Sequence, residues 1–163
     1  VLLLKWLLLG RVQPGVHPLW SCWCSRWDFL YVAWGQLVRP QLVQLEGTLL
    51  LSVYLRAMGM TIGRRVVLGP GFSQVVDPDM LSFGDDSTVQ TMFQAHTFEE
   101  RILKIDTVRI GAGASVGTGS VMMNGSVAGD GTWVAPHTVV MKQARLNAER
   151  RYEGCPSRLV RRS

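Results

Sequence analysis

Few side chains in this 163-residue sequence have the chemistry to act on a substrate, and His96 heads them. It stands in QAHTFEERILKID, where a regular six-residue pattern breaks off after Ala95. A neutral imidazole takes a proton from an attacking nucleophile near pH 7. Glu99 and Glu100 follow within a few residues and are candidates to orient its second ring nitrogen. The competing reading is a structural loop histidine bonded to backbone. His17, between two prolines, reads as a loop residue, and His137 as an outward-facing residue beside a turn.

The other reactive residues do not assemble into a motif. Asp77, Asp79, Asp85 and Asp86 lack the spacing of a calcium loop, and DPD and GDD are ordinary turn compositions. Cys22 and Cys24 are one residue apart, Cys155 is remote, and His96 lacks an HExxH partner, so no metal is expected. No phosphate-cradling GxxxxGK[ST] loop occurs. Three cysteines do not define a disulfide scaffold.

The elements that must position His96 are written as a repeat of six. The run IGAGAS, VGTGSV, MMNGSV, AGDGTW, VAPHTV starts at Ile110, Val116, Met122, Ala128 and Val134, and Val140 opens the next hexad. An apolar residue stands first and a small one fifth: Ala114, Ser120, Ser126, Thr132, Thr138. Gly111, Gly117 and Gly129 stand second, where turn dihedrals open to glycine are expected. Fainter copies begin at Ile62, Leu68 and Phe83. Each hexad makes a short flat strand and a turn, and three close a triangular coil that stacks in parallel on the next. This predicts an all-β solenoid over residues 62–141, a parallel β-helix with excursions near 73–82 and 96–105.

Residues 1–61 read as a helical and loop cap. RVQPGVHP should be an irregular connection. Trp20, Trp23, Trp27, Tyr31 and Trp34 recur at helical steps over 19–38, with Pro40 closing the helix. Residues 46–58 form a second helix, with Leu50, Leu51, Tyr54, Leu55 and Met58 on one side and Gly59 just past its end. VLLLKWLLLG is too short for a secretory or membrane-spanning segment. Trp6, Trp20, Trp23 and Trp27, with Arg11 and Arg26 among them, suit a membrane interface or, equally, a packed cap. The chain opens on Val1 rather than methionine, which suggests a domain cut from a larger protein.

The net charge of +5 is local. Residues 1–141 carry ten basic and ten acidic side chains, whereas 142–163 carry seven basic against Glu149 and Glu153. This segment is expected to be a basic C-terminal extension that folds back. No basic stripe with stacking aromatics accompanies it, so no specific nucleic-acid partner is expected.

The hexads of 110–140 resemble those of the hexapeptide-repeat acyltransferases, which fold as left-handed parallel β-helices. The tail EGCPSRLVRR resembles the closing motif of that superfamily, departing from it at Cys155 and Ser157, where asparagine and alanine are commoner. More closely, the chain resembles the acyltransferase-like C-terminal domain of non-ribosomal-peptide-synthetase-like membrane proteins of the poly-lysine synthetase type. KWLLLGR, GVHPLWS, LRAMGMTIGRRV and MLSFGDDSTVQTMFQAHTFEERILK carry that narrower match, which covers nearly the whole chain.

The resemblance implies transfer of an acyl or aminoacyl group from a pantetheine thioester, on coenzyme A or a carrier domain, to an amine, with His96 as general base. It implies that Gly154, Pro156 and Ser157 lie near the pantetheine end of the donor, with Arg158, Arg161 and Arg162 toward its phosphates. A carrier domain or tandem copy in the same polypeptide, or a homotrimer, would complete the site. The domain would face the cytoplasm as part of a larger membrane protein. The rival reading is a non-catalytic β-helical scaffold that docks the modules of such a synthetase.

Overall fold

The computed structural model describes residues 1–75 and 77–160. Helices fill the first third. Leu2–Leu8 is followed by Cys22–Ala33, whose start is capped by the Ser21 hydroxyl accepting from the Cys24 N–H at 3.2 Å. Cys24, Trp27, Leu30 and Ala33 form its buried stripe at three-residue steps, the spacing of one helix face. Pro40 does not close this helix. The chain passes through a π-helical turn, Trp34–Val38, and Pro40 enters the first turn of Arg39–Leu42, where a missing N–H costs no helix bond. The helix Leu49–Ala57 turns Leu51, Leu55 and Met58 inward and leaves Leu50 exposed. Among the described residues no helix is long and apolar enough to cross a membrane.

From Thr61 onward, short strands stack in two parallel ladders. Arg109 lies beside Val127 and Val127 beside Arg145; Ser115 lies beside Trp133 and Trp133 beside Arg151. Each step is eighteen residues, three hexads. Upstream the steps lengthen, as Thr61 pairs with Ser82 and Ser82 with Arg109, because residues leave the ladder between these strands. Val116, Met122, Val134 and Val140, the first residues of their hexads, are fully buried, as are fifth-place Ser120, Ser126, Thr132 and Thr138.

The second-place glycines serve closeness rather than turning. A Cβ on Gly111 would lie 2.4 Å from Asp130 Oδ1 and 2.5 Å from the Asp130 nitrogen, and one on Gly117 would lie 2.6 Å from the Pro136 nitrogen. Positive φ falls instead on the fourth place, at Gly113, Gly119, Gly125 and Gly131 and then at His137, Gln143 and Glu149.

The repeat also runs past residue 141. Leu146 and Tyr152 are the next buried first-place residues, and their strands join the two ladders. Outward-facing Arg145 and Arg151 alternate with them, which gives this part its charge without ending the pattern. Only Arg158–Leu159 folds back, antiparallel to Tyr152–Glu153.

A separate three-stranded antiparallel sheet stands off the ladders. His96–Glu99 and Ile102–Ile105 form a hairpin, and Gly15–Pro18 pairs along its far strand. His17 is thus a strand residue opposite Leu103, its ring stacked on Trp23 at 3.7 Å. The segment's prolines are tolerated because Gly15–Pro18 is an edge strand.

Candidate active site

The hairpin that carries His96 is fixed from several directions. Glu100 and Arg101 form its two-residue tip, both with positive φ, the geometry that matches strand twist. Glu99 accepts from Lys104 Nζ at 2.7 Å on one oxygen and from Lys142 Nζ on the other. These two bonds, Lys104 foremost, hold the Glu99 carboxyl down at about 2. Glu99 therefore ties the hairpin to the strand-rich body, and it does not orient His96. Three residues along a strand separate the two side chains, which places them on opposite faces. Glu100 is spent in the turn.

The carboxylate that meets His96 is Asp77. Its Oδ2 lies 2.8 Å from His96 Nδ1, and its Oδ1 accepts from Trp27 Nε1 at 2.6 Å. The Asp77 side chain is 1% exposed and that of His96 16%. Asp77 adopts a left-handed backbone conformation, which aspartate tolerates better than most residues, and Pro78–Met80 follows as a single 3-10 turn. Trp27 and Phe98 stand edge-on to the imidazole, with centroids 5.0 and 5.3 Å away. A carboxylate oxygen can only accept here, so Nδ1 is the protonated nitrogen. In the neutral ring Nε2 then carries the lone pair, and a positioned base of this kind suits proton abstraction.

Sequence reasoning missed Asp77 and Trp27. Asp77 was visible only as a turn residue and Trp27 only as one member of a helical stripe. Their spacing from His96, 19 residues in one case and more in the other, carries no local signal. The other acids are occupied: Asp79 pairs with buried Lys5 at 2.8 Å, Asp85 accepts from the Arg64 N–H, and Asp86 binds Arg65. Among the described residues no three His, Cys, Asp or Glu side chains gather to hold a metal ion.

The closing segment packs against Val139, in the strand Val139–Val140 that pairs with Val121–Met122. Gly154, with φ +94, presents its carbonyl to the Val139 N–H at 3.1 Å, and the Ser157 N–H donates to the Val139 carbonyl at 2.9 Å. Pro156 follows a cis peptide bond between these anchors, and Arg158 is exposed. Arg161 and Arg162 lie outside the described residues. The predicted residues thus form two groups, His96 with Glu99 on the hairpin and Gly154–Arg158 against Val139.

The parallel ladders and the protruding hairpin define a class. The chain has the fold of the hexapeptide-repeat acetyltransferases. It superposes on a maltose O-acetyltransferase from Clostridium difficile 630 with a TM-score of 0.58, at 13% identity, over 96% of this chain and 95% of that one. A hexapeptide-repeat acetyltransferase from Vibrio cholerae, in complex with acetyl coenzyme A, gives 0.54 at 15% identity over 84% and 85%. No protein-family model matches the chain. In sequence it is similar to the delta-poly-L-ornithine synthetase of Acinetobacter baumannii (strain AB307-0294), 30% identical over 160 residues. That alignment takes in 96% of this chain and 12% of the synthetase, so the chain spans a small part of its relative's length. Both findings bear out the resemblance carried by the hexads and the QAHTFEER segment.

Proposed function

We propose that this chain is an acyltransferase domain, built on a left-handed parallel β-helix, that moves an acyl or aminoacyl group from a pantetheine thioester to an amine. The observation that carries the reading is the bond between Asp77 Oδ2 and His96 Nδ1, which leaves the other ring nitrogen available as a base. In the reaction the amine nitrogen attacks the thioester carbonyl, the new C–N bond forms, and the C–S bond breaks. His96 Nε2 takes the proton the amine loses and then gives it to the departing thiolate, which returns the imidazole to its neutral form. Asp77 holds the ring and stabilises the imidazolium.

The donor is coenzyme A or a carrier-bound pantetheine. The complex of the Vibrio cholerae neighbour with acetyl coenzyme A supports the first. Similarity to a poly-ornithine synthetase supports the second, with an amino acid as the group transferred. The exposed guanidinium of Arg158 suits a donor phosphate. In this reading the domain works in a larger polypeptide at the cytoplasmic face of a membrane, with a tandem copy or two symmetry mates supplying the wall opposite His96. Transfer from aminoacyl-pantetheine to candidate amines, measured for the wild type and for His96→Ala, tests it. A fall of about 10²–10⁴ in rate is expected, and an unchanged rate in a folded variant overturns it.

One observation favours docking as a second role. Leu3, Leu7, Trp20, Leu37 and Leu49 are each between 65% and 92% exposed, all on the helical third. Exposed apolar side chains in that number on one third of the chain suit contact with partner modules of the same assembly.

A further inference from the structure

Beside the His96 site, across the turn Pro78–Met80, lies a polar cleft with an empty space of ≈ 850 Å³ including its open mouth. Its floor is the outward row of the first ladder, where Thr61, Ser82 and Arg109 lie side by side in register. Adjacent strands are about 4.8 Å apart, so Thr61, Ser82 and Arg109 rise from neighbouring places in one row and all three line the cleft. Its wall is the segment carrying Arg11 and Gln13. Buried Val12 pins that segment, its N–H donating to Asp79 Oδ2 at 3.3 Å, and the strand Gly15–Pro18 anchors it from the other side.

The charge in this cleft is one-sided. Asp79 is the one acid that lines it, and its carboxylate is already matched by Lys5 Nζ at 2.8 Å. Among the described residues neither Arg11 nor Arg109 has an acid within ion-pair distance, and the Gln13, Thr61 and Ser82 side chains have no hydrogen-bond partner. Two guanidiniums and a row of neutral donors around a cavity, with the local acid neutralised, make a receptor for an oxyanion. Guanidinium recognises carboxylate and phosphate through paired N–H donors. We propose that the cleft of Arg11, Ser82 and Arg109 binds the carboxylate or phosphate group of a small ligand. This site is distinct from the closing-motif arginines, and it stands whether or not His96 acts as a base.

The test is calorimetric titration of the chain with inorganic phosphate and, separately, with acetate, at low and moderate salt. Wild type, Arg11→Gln, Arg109→Gln and Arg39→Gln are compared, with thermal midpoints recorded to confirm folding. Arg39 is exposed on the helical third, outside the cleft, and controls for the loss of one positive charge. Saturable binding, weakened about ten- to a hundredfold by either cleft substitution and unchanged by Arg39→Gln, is the expected result. Saturation by phosphate alone assigns a phosphate-bearing ligand, and saturation by acetate alone a carboxylate. Absence of saturable binding with both probes overturns the proposal, as does equal weakening by all three variants.

Discussion

Trp27 stands edge-on to His96, its ring 5.0 Å away and tilted by 75°, and both residues donate to the same carboxylate. The helical third therefore sets the angle of the imidazole as well as packing against the strands. Replacing Trp27 by Phe keeps an aromatic wall and removes one donor from buried Asp77. A loss of about 1–3 kcal/mol in urea-unfolding stability is expected, with a lower transfer rate in the protein that remains folded.

Asp77→Asn tests the orienting bond itself. The amide matches the carboxylate in shape but offers a single acceptor oxygen for the two donors Trp27 and His96. If that oxygen stays with Trp27, the amide nitrogen faces Nδ1 and favours the wrong ring tautomer. A loss of about 10²–10⁴ in kcat is expected, with KM little changed. The NMR signature of the His96 ring nitrogens should change with it, a readout that a purely structural role for Asp77 would not move.

Glu99 gives a pH dependence with a defined sign. Its carboxyl falls from 4.5 to about 2 in the folded state, through Lys104 first and Lys142 second. A depressed acid contributes stability that is present above its unfolded value and lost as pH falls through the folded one. Unfolding midpoints measured between pH 5 and pH 2 should therefore drop less steeply in Glu99→Gln than in wild type. High salt should shrink the difference, since the Glu99 side chain is 35% exposed and its partners reach solvent. Parallel curves for the two proteins would remove Glu99 from this account.

Two glycines in one hexad should respond differently to alanine. At Gly111 a methyl group meets the Asp130 backbone at 2.5 Å, so the ladder itself must shift, at about 1–3 kcal/mol or more. Gly113 has nothing within 4 Å but adopts φ +64, a strain of about 1–2 kcal/mol. Denaturant titration should rank Gly111→Ala as the more damaging. The reverse order would mean that spacing between successive strands is not what selects the second-place glycine.

Lys5 and Asp79 form a buried pair, their side chains 5% and 0% exposed. Lys5→Met leaves an unpaired acid inside the protein and should cost about 3–5 kcal/mol. Adding Asp79→Asn removes that charge and should restore a good part of the loss. Thermal unfolding of the single and double variants checks the non-additivity.

The parts of this fold that repeat were readable from sequence, and the parts that occur once were not. Val116, Met122, Val134 and Val140 declared the ladders because burial recurs every six residues. The same rule extends to Leu146 and Tyr152, where the alternating arginines disguised it. His96 stood out because the pattern stops beside it. Its partner did not, because a contact between Asp77 and a hairpin nineteen residues away depends on how one excursion packs on a helix. Gly15–Pro18 was hidden for a similar reason, since its pairing partner is Ile102–Ile105.

The pairing of Gly15–Pro18 with Ile102–Ile105 also bears on how the molecule is made. During vectorial synthesis the Trp27 helix and this strand leave the ribosome well before the hairpin they serve. Until Ile105 emerges, an unpaired strand edge and several exposed tryptophans must wait in solution, the condition in which nascent chains associate or recruit chaperones. The ladders, built from neighbours eighteen residues apart, can zip up locally, whereas the His96 site closes only across long stretches of chain. Every partner of that site lies before Asp106, so it can close while the coils from Ile110 onward are still being made, and proton-transfer competence reports the joining of the helical third to the hairpin rather than the folding of the whole domain.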